Sequence, residues 1–290
     1  MIEKPWIRKP GGETFRYESK GEGIPLLTSP LLSGVPGIRH GFTTREGGVS
    51  EGIFSTLNLS FRLENDRDRT FENFRRVAAA FDLTPDRIVL SDQVHDDRIR
   101  IVTREDAGKG VTRPKDYEGI DGLVTNEPGL LLIVLAADCV PILLTDPVRR
   151  VIGAVHSGWR GTAVRIGETA MRLMSERFGS DPKDVFAAIG PSICQDCFEV
   201  SEDVAEKFRE KYDASLMNEL IRLGRVAERG EQKYHVNLQR ACMENFLEAG
   251  LKKQNISLPD ICTACNKDYL FSHRASFGKR GNQAAVLMLR

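Results

Sequence analysis

Apolar residues form short uninterrupted runs at several points along the chain, and these runs predict buried β-strands. The longest covers residues 130–137 and follows a turn of sequence Asn126-Glu-Pro-Gly129. A continuous apolar run of this length is typical of a strand that is covered on both faces. Shorter runs at 151–155, 186–189 and 284–289 predict three more strands of the same kind.

Other segments repeat apolar residues every three or four positions, which predicts helices. Between residues 70 and 81 the apolar positions are Phe71, Phe74, Val77, Ala78 and Phe81. Thr70 is a candidate N-cap for this helix, because its hydroxyl can accept a hydrogen bond from a free backbone N–H. Further helices are expected from Gly161 to about Phe178, over 201–212 and over 237–250.

Three less apolar strands, over 37–44, 88–94 and 99–102, complete the pattern. Strands that alternate with helices predict an α/β fold. We expect one domain over residues 1–290, with three layers in which a mixed β-sheet is flanked by helices.

The balance of acidic and basic residues argues against nucleic acid as a partner. The chain has 41 basic and 41 acidic residues among 290, whereas general nucleic-acid binding needs a surplus of Lys and Arg. Eight residues in the longest apolar run are too few to span a bilayer, and residues 1–20 lack the apolar core of a secretion signal. Six cysteines without such a signal suggest reduced thiols. We therefore expect a cytoplasmic protein with neither nucleic-acid nor membrane partners.

Three residues at the ends of predicted strands could bind a metal ion. Cys139 and His156 each follow an apolar strand, and His95 follows a third. Strand ends are where α/β sheets place their ligands. One thiolate and two imidazoles suit a catalytic zinc ion, which takes three protein ligands and leaves a fourth position open. Nearby carboxylates that could orient the imidazoles are those of Asp92, Asp96 and Asp138.

Two glycine-rich turns contain arginines that could hold an anion. In Gly158-Trp-Arg-Gly161, Arg160 precedes a predicted helix whose first N–H groups are free. The alternative is an ordinary helix start with Trp159 packed in the core. Arg45 lies beside the second turn, Gly47-Gly48, and is a candidate for the same reason.

Two C-x-x-C pairs invite the prediction of a second metal site. They are Cys194-Gln-Asp-Cys197 and Cys262-Thr-Ala-Cys265. The 64 residues between the pairs make a longer separation than in compact zinc ribbons, although distant segments can still meet in space. We therefore do not predict a four-cysteine site, nor a redox role for Cys194.

With these residues in view, the sequence resembles the laccase-domain family, also called the YfiH-like, multicopper polyphenol oxidoreductase or purine nucleoside phosphorylase family. The matching motifs run in order over most of the chain, and the two that contain Cys139 and His156 are very specific. The motifs are His40-Gly-Phe-Thr-Thr-Arg45, Ser55-Thr-Leu-Asn-Leu59, Asp92-Gln-Val-His95, Asp121-Gly-Leu-Val-Thr125, Ala137-Asp-Cys-Val-Pro141, Ala154-Val-His-Ser-Gly-Trp-Arg-Gly161, Ile189-Gly-Pro-Ser-Ile193 and Phe271-Ser-His-Arg274. The resemblance does not include the C-x-x-C pairs.

The resemblance implies a YfiH-like fold, which is grouped with cysteine hydrolases, and it places His95, Cys139 and His156 on the family's metal ligands. It also implies phosphorolysis of adenosine, inosine and methylthioadenosine, and deamination of adenosine. Purine nucleoside and phosphate would then be the substrates, and Cys139, His95, His156 and Arg160 the catalytic residues. We take as substrate-binding candidates Arg45, Asn58, Arg160, His273 and Arg274.

Counting histidines limits the alternatives. The chain has five, so a copper ion could replace zinc at the three-ligand site, but few histidines remain for the further coppers of a polyphenol oxidase. The usual zinc-deaminase motif is absent from the sequence, so deamination would need a differently built site. A thiol hydrolase that uses Cys139 as nucleophile and His156 as base, acting on amides or peptides, stays open. So does a non-catalytic, metal-dependent interaction module.

Overall fold

The computed structural model describes residues 5–20 and 23–290, which form fifteen strands and seven α-helices. The strands are β1 (Arg16–Lys20), β2 (Ile24–Thr28), β3 (Ile38–Thr43), β4 (Ile88–Leu90), β5 (Ile99–Ile101), β6 (Gly122–Thr125), β7 (Leu131–Ala136), β8 (Val140–Asp146), β9 (Val151–Ser157), β10 (Phe186–Ile189), β11 (Glu199–Val200), β12 (Ile221–Val226), β13 (Gln232–Val236), β14 (Ile256–Ser257) and β15 (Gln283–Leu289). The helices are α1 (Pro30–Ser33), α2 (Arg67–Ala79), α3 (Trp159–Ala163), α4 (Ile166–Phe178), α5 (Glu202–Lys211), α6 (Met217–Leu220) and α7 (Leu238–Glu248).

The strands form two mixed six-stranded sheets and a small three-stranded one. The first sheet has the order β1-β2-β3-β15-β7-β4, and the second has the order β14-β10-β8-β9-β6-β5. Most neighbours are antiparallel, but β4 runs parallel to β7, β5 to β6, and β10 to β14. The small sheet has the order β11-β13-β12.

The two large sheets pack face to face, and helices cover their outer faces. Leu132 and Val134 of β7 belong to the same apolar core as Leu143 of β8 and Ala154 of β9, so this core lies between the sheets. On the outer face of the first sheet, α2 contributes Phe74 and its neighbours to a separate core. Helices α4, α5 and α7 cover the outer face of the second sheet.

The α/β class and the mixed, helix-flanked sheets predicted from the sequence are confirmed. The structure has four layers and two large sheets, where the sequence predicted three layers and one sheet. An apolar run shows only that both faces of a strand are covered. For β7 one of those covers is the second sheet and not a helix, and the run itself does not distinguish them.

Two helix boundaries differ from the prediction. Helix α2 begins at Arg67 because Asp66 caps it, with its side chain accepting a hydrogen bond from the Arg69 N–H (3.1 Å), and Thr70 lies inside the helix. The single helix predicted after β9 is divided into α3 and α4. The break lies at Arg165, whose φ of 64° is left-handed and cannot continue an α-helix.

Within the described residues, none of the helices combines the length and the apolar character needed to cross a lipid bilayer.

The close contact between Gly190 and Phe42 offers a test of this packing. A Cβ atom at Gly190 would lie 2.1 Å from the nearest ring atom of Phe42, so we expect Gly190→Ala to lower the free energy of unfolding by about 1–3 kcal/mol. Urea denaturation of the variant and of the control Gly34→Ala, whose new Cβ would meet only an ordinary contact at 3.4 Å, measures the effect. Equal stability of the two variants would contradict the described packing.

Candidate metal centre

Three side chains from separate loops and strands converge on one point. His95 lies in the loop between β4 and β5, Cys139 follows β7, and His156 is the sixth residue of β9. One donor atom from each lies within 4.8 Å of those from the other two. The imidazole rings of His95 and His156 are nearly perpendicular, with centroids 4.8 Å apart. The predicted group of three ligands is therefore brought together.

The backbone turns sharply at two of these positions. His95 has a φ of 67°, and Asp138, directly before Cys139, has a φ of 85°. Both values lie in the left-handed region, which few residues other than glycine adopt. Because β4 and β7 belong to the first sheet while β5 and β8 belong to the second, these turns lie where the chain crosses between the sheets.

A buried carboxylate, that of Asp121, organises both histidines. It lies directly before β6 and is fully buried. Its Oδ1 is 2.8 Å from Nδ1 of His156 and accepts the backbone N–H of His95 at 3.0 Å. Its Oδ2 accepts the N–H groups of Val94 (2.9 Å) and Asp96 (3.2 Å). With Nδ1 engaged in this way, Nε2 of His156 is the nitrogen left for a metal ion.

Charge interactions within the site shift three pKa values. Burial alone would raise the pKa of the Cys139 thiol, but the charge of His156 and hydrogen bonds from both imidazoles lower it to about 6. Burial alone would lower the pKa of His156, but Cys139 and Asp121 raise it to about 9. The pKa of Asp121 stays below its usual value, because its hydrogen bonds outweigh the cost of burial. These opposite shifts favour the thiolate of Cys139 and the imidazolium of His156 over the two neutral forms.

The residues present fit a zinc-like ion. One sulfur and two imidazole nitrogens are a common donor set for catalytic zinc. Gly158 leaves the space beside them open: a Cβ atom there would lie 2.7 Å from Cδ2 of His95 and 3.3 Å from the sulfur of Cys139. A side chain at position 158 would therefore crowd two of the three ligands.

The carboxylates that the sequence suggested as orienting groups have other partners. Asp92 pairs with the ammonium group of Lys115 and accepts the N–H of Gly119 at 3.0 Å. Asp96 accepts the N–H of the next residue. The prediction for these residues was wrong, because their place beside His95 in sequence does not aim their side chains at an imidazole.

Asp138 is also engaged elsewhere, so the same prediction was wrong for it. Its Oδ1 accepts a hydrogen bond from the Thr263 hydroxyl, and its Oδ2 accepts one from the Arg274 N–H, both at 2.6 Å. Asp138 therefore fastens the turn before Cys139 to the segment that contains Thr263 and Arg274.

Arg280 is a candidate anion-binding residue that the sequence analysis missed. Its half-buried guanidinium interacts electrostatically with Cys139 and Asp138, and burial lowers its pKa. Its Nε is buried and has no hydrogen-bond partner within residues 5–20 and 23–290. A buried, unpartnered N–H beside a reactive group suggests a place for a ligand. No sequence motif marked this residue, because its position depends on a loop that returns to the site from far along the chain.

Arg280 and His95 both line a groove of about 1090 Å³. Several basic side chains lie along the same groove, which suits an anionic or phosphate-bearing ligand. They are Arg62, Arg67, Arg113 and Lys115.

A comparison with known families identifies the chain. The model of the family described as multi-copper polyphenol oxidoreductase laccase matches residues 39–290, most of the chain and all three candidate ligands. The chain belongs to this family. The resemblance stated from the sequence motifs is confirmed.

Individual members of the family are similar over nearly the full chain. A protein of Deinococcus radiodurans named purine nucleoside phosphorylase is 43% identical over 267 residues, which cover 92% of this chain and 94% of that protein. A protein named adenosine deaminase RL5, from an unknown prokaryotic organism, is 31% identical and covers 87% of this chain and 94% of its own. The crystal structure of the Bacillus licheniformis hypothetical protein YfiH superposes with a TM-score of 0.85 at 30% identity, over 94% of this chain and 99% of that one.

The two arginines proposed from the glycine-rich turns lie in different settings. Arg45 donates hydrogen bonds to the carbonyl groups of Ser55 (2.8 Å) and Lys267 (2.9 Å). It lines a smaller cavity of about 150 Å³, to which Arg280 also contributes. Arg160 is exposed, and its guanidinium stacks on Trp159 at 4.3 Å from the ring centroid. Arg45 is thus largely engaged with the backbone, whereas Arg160 is exposed and stacked on a neighbouring aromatic ring.

Asn58 is fully buried, and both ends of its amide are occupied. Its NH₂ group donates to Glu64 (2.9 Å), and its oxygen accepts N–H groups from Ser60 (3.1 Å) and Asn282 (3.0 Å). This position supports the loop that contains Arg280 and leaves the amide no free group for a substrate.

The remaining candidates, His273 and Arg274, are exposed. The Arg274 guanidinium donates to the carbonyl groups of Cys197 (3.2 Å) and Glu199 (2.8 Å). The structure does not bring these two side chains to the three-ligand group.

The Asp121 carboxylate allows a direct test of the metal centre. In Asp121→Asn the amide cannot supply the same charge to His156, and we expect the affinity for zinc to fall by about 10–100-fold. Competition with a chromophoric chelator measures the dissociation constant. Asp96→Asn is the matched control, because its carboxylate faces the Asp97 N–H and the Arg98 guanidinium instead of an imidazole. An unchanged affinity in Asp121→Asn would contradict the role given to this residue.

Proposed function

We propose that this chain is a zinc-dependent enzyme that phosphorolyses adenosine, inosine and methylthioadenosine and deaminates adenosine. The observation that carries the proposal is the convergence of His95, Cys139 and His156 beside a basic groove that contains Arg280. The names of the relatives, purine nucleoside phosphorylase and adenosine deaminase, support the substrate class.

The three ligands would hold the ion and leave one position open to the groove. When bound, zinc would act as a Lewis acid at neutral pH. The protein prepares this position in advance: the two histidines hold the pKa of Cys139 below its usual value, which favours the thiolate that a metal ion needs, and Asp121 fixes the orientation of His156. Proton release from His156 accompanies binding, because only the neutral imidazole can be a ligand.

Phosphorolysis requires phosphate to be held against the ribose. A bond forms between a phosphate oxygen and C1′, while the bond from C1′ to the purine nitrogen breaks and the base leaves. Arg280 could hold that phosphate, because its guanidinium lies near Cys139 and its Nε has no hydrogen-bond partner among the described residues. A guanidinium binds phosphate through two parallel hydrogen bonds. Because Arg160 is exposed and lies four residues after His156, it is a second candidate for contact with the substrate.

Deamination places different demands on the same groove. A water oxygen adds to C6 of adenine, and ammonia leaves with the electron pair of the broken C–N bond. No phosphate takes part, so Arg280 is not needed for this reaction. The two activities therefore share the metal ligands but differ in their dependence on the guanidinium.

A copper-dependent polyphenol oxidase is a weaker proposal. Beyond the two histidines of the candidate centre, the chain has His40 in β3, His235 in β13 and His273 in a loop. Among residues 5–20 and 23–290, the only other group able to hold a metal ion consists of four cysteines. The three remaining histidines are thus not gathered into the multinuclear copper cluster that such oxidases use.

A thiol hydrolase has one observation in its favour. Cys139, His156 and Asp121 are linked in the order of a catalytic triad, with the Asp121 carboxylate 2.8 Å from Nδ1 of His156. His95 argues against it, because a triad has no use for a second imidazole within 4.8 Å of the thiol. Activity that survives complete removal of the metal by a chelator would favour the hydrolase.

Replacing the thiolate ligand tests the metal-dependent proposal. In Cys139→Ala we expect the zinc ion of the His95–Cys139–His156 group to be lost and both activities to fall by roughly a thousandfold or more, since a catalytic ion contributes several kcal/mol. Release of adenine and of ammonia from adenosine, with metal analysis of the same sample, gives the measurement.

The control for this experiment is Cys242→Ser, because Cys242 is buried and contacts Ser157 and Thr162, outside the ligand group. It should retain zinc and activity. If wild-type protein with full zinc occupancy released neither adenine nor ammonia, the proposed function would be rejected.

The two reactions can be separated through Arg280. In Arg280→Met we expect the KM for phosphate to rise roughly tenfold to a hundredfold through loss of charge-assisted hydrogen bonds, with deamination within about twofold of wild type. The charge-matched control is Arg225→Met, because Arg225 lies in β12, is not among the groove residues and pairs with Glu199. It should leave both activities intact. Equal losses of both activities in Arg280→Met would show that Arg280 does not act on phosphate.

A further inference from the structure

The two C-x-x-C pairs meet in the structure, although 64 residues separate them in the sequence. Cys194 and Cys197 follow β10, and Cys262 and Cys265 follow β14. Because β10 and β14 pair in parallel, the chain leaves both strands at the same edge of the sheet. All four sulfur atoms lie within 4.8 Å of one another. The sequence analysis did not predict this meeting, since spacing alone does not show which strands pair.

We propose that these four cysteines form a structural zinc site, distinct from the His95–Cys139–His156 group. The first support is geometric. Four thiolates around one zinc ion, each at about 2.3 Å, place their sulfur atoms about 3.8 Å apart. The sulfurs of Cys197 and Cys265 are 3.6 Å apart, which matches the edge of such a tetrahedron and is well beyond a covalent disulfide bond of about 2.05 Å.

The second support is the hydrogen bonding around the sulfurs. The sulfur of Cys262 accepts backbone N–H groups from Cys194 (3.2 Å) and Cys265 (3.5 Å). Such donors stabilise a negatively charged thiolate and hold it in the orientation that a metal ion needs. Cys194 and Cys262 are buried, and the other two are half-buried.

The third support is charge. Zinc with four thiolates has a net charge of about −2, and such a centre is more stable beside a cation. Lys9 lies close enough to Cys194 and Cys265 to interact with them electrostatically. Its ammonium also contacts Asp196, inside the first C-x-x-C pair, at 3.1 Å. The backbone N–H of Lys9 donates a hydrogen bond to the Asp260 carbonyl. The chain at Lys9 therefore packs beside the residues that precede Cys262.

The chain around the site indicates what the ion would do. Four protein ligands leave no open position, which is the mark of a structural and not a catalytic zinc ion. The ion would join the β10 and β14 loops at the start of the segment from Cys262 to Arg274. In that segment the Thr263 hydroxyl and the backbone N–H of Arg274 donate hydrogen bonds to the carboxylate of Asp138, directly before Cys139. The structural ion would thus position the loop of the catalytic thiolate from outside the active site.

Metal counting in single-site variants tests the assignment independently of any activity. We expect about two equivalents of zinc in wild-type protein, about one in Cys139→Ala, and about one in Cys197→Ser. Cys242→Ser should keep both. Loading Cys139→Ala with Co²⁺ should give thiolate-to-metal charge-transfer absorption, because its only remaining cysteine ligands are the four of this cluster. Zinc-free Cys139→Ala, or iron in place of zinc after purification without added metal, would overturn the assignment.

A second measurement covers the case in which Cys197→Ser fails to fold. Cys139→Ala protein is alkylated with and without a chelator, and the modified cysteines are located by mass spectrometry. We expect the chelator to expose all four cysteines of the cluster together, and the melting temperature to fall by several degrees. Equal labelling with and without the chelator, or a loss of two hydrogens at Cys197 and Cys265 that marks a disulfide, would contradict a zinc site.

Discussion

The carboxylate of Asp121 is the point on which the candidate centre depends. A buried, charged oxygen pair is costly unless its hydrogen-bonding capacity is used, and here it accepts three backbone N–H groups and faces one imidazole nitrogen. The same group therefore shapes the loop that contains His95 and selects the ring nitrogen of His156. Satisfying this one buried charge brings together two ligands that lie about sixty residues apart.

Much of this arrangement was readable in the sequence. The apolar runs predicted the central strands, and polar residues at their ends predicted all three members of the ligand group. The orienting carboxylate was missed, although Asp121 stands before a short apolar strand in a matched motif. A charged residue at the start of a buried strand must find a partner, whereas Asp92 and Asp96 were favoured only because they are near His95 in the chain. Burial was the better guide, and the sequence does not show burial directly.

Other features depend on contacts between distant segments of the chain, and local sequence patterns could not predict them. The second cover of β7 is a sheet, and an apolar run does not distinguish a sheet from a helix. Arg280 reaches the site through a loop near the end of the chain, which Asn58 supports through the backbone of Asn282. Asn58 was expected to contact substrate, but its buried amide holds that loop in place. The four cysteines meet because β10 and β14 are neighbours, a pairing that residue spacing does not reveal.

The crossing points of the chain have a consequence for how the molecule responds to change. His95 and Cys139 lie where the backbone passes from one large sheet to the other, while His156 is part of a strand in the second sheet. An ion bound by all three residues would cross-link the two sheets, and its affinity would depend on the distance between them. Substitutions in the apolar core between the sheets, far from any ligand, would then change the affinity for the metal ion. Binding of the ion would in turn stabilise one relative position of the two sheets.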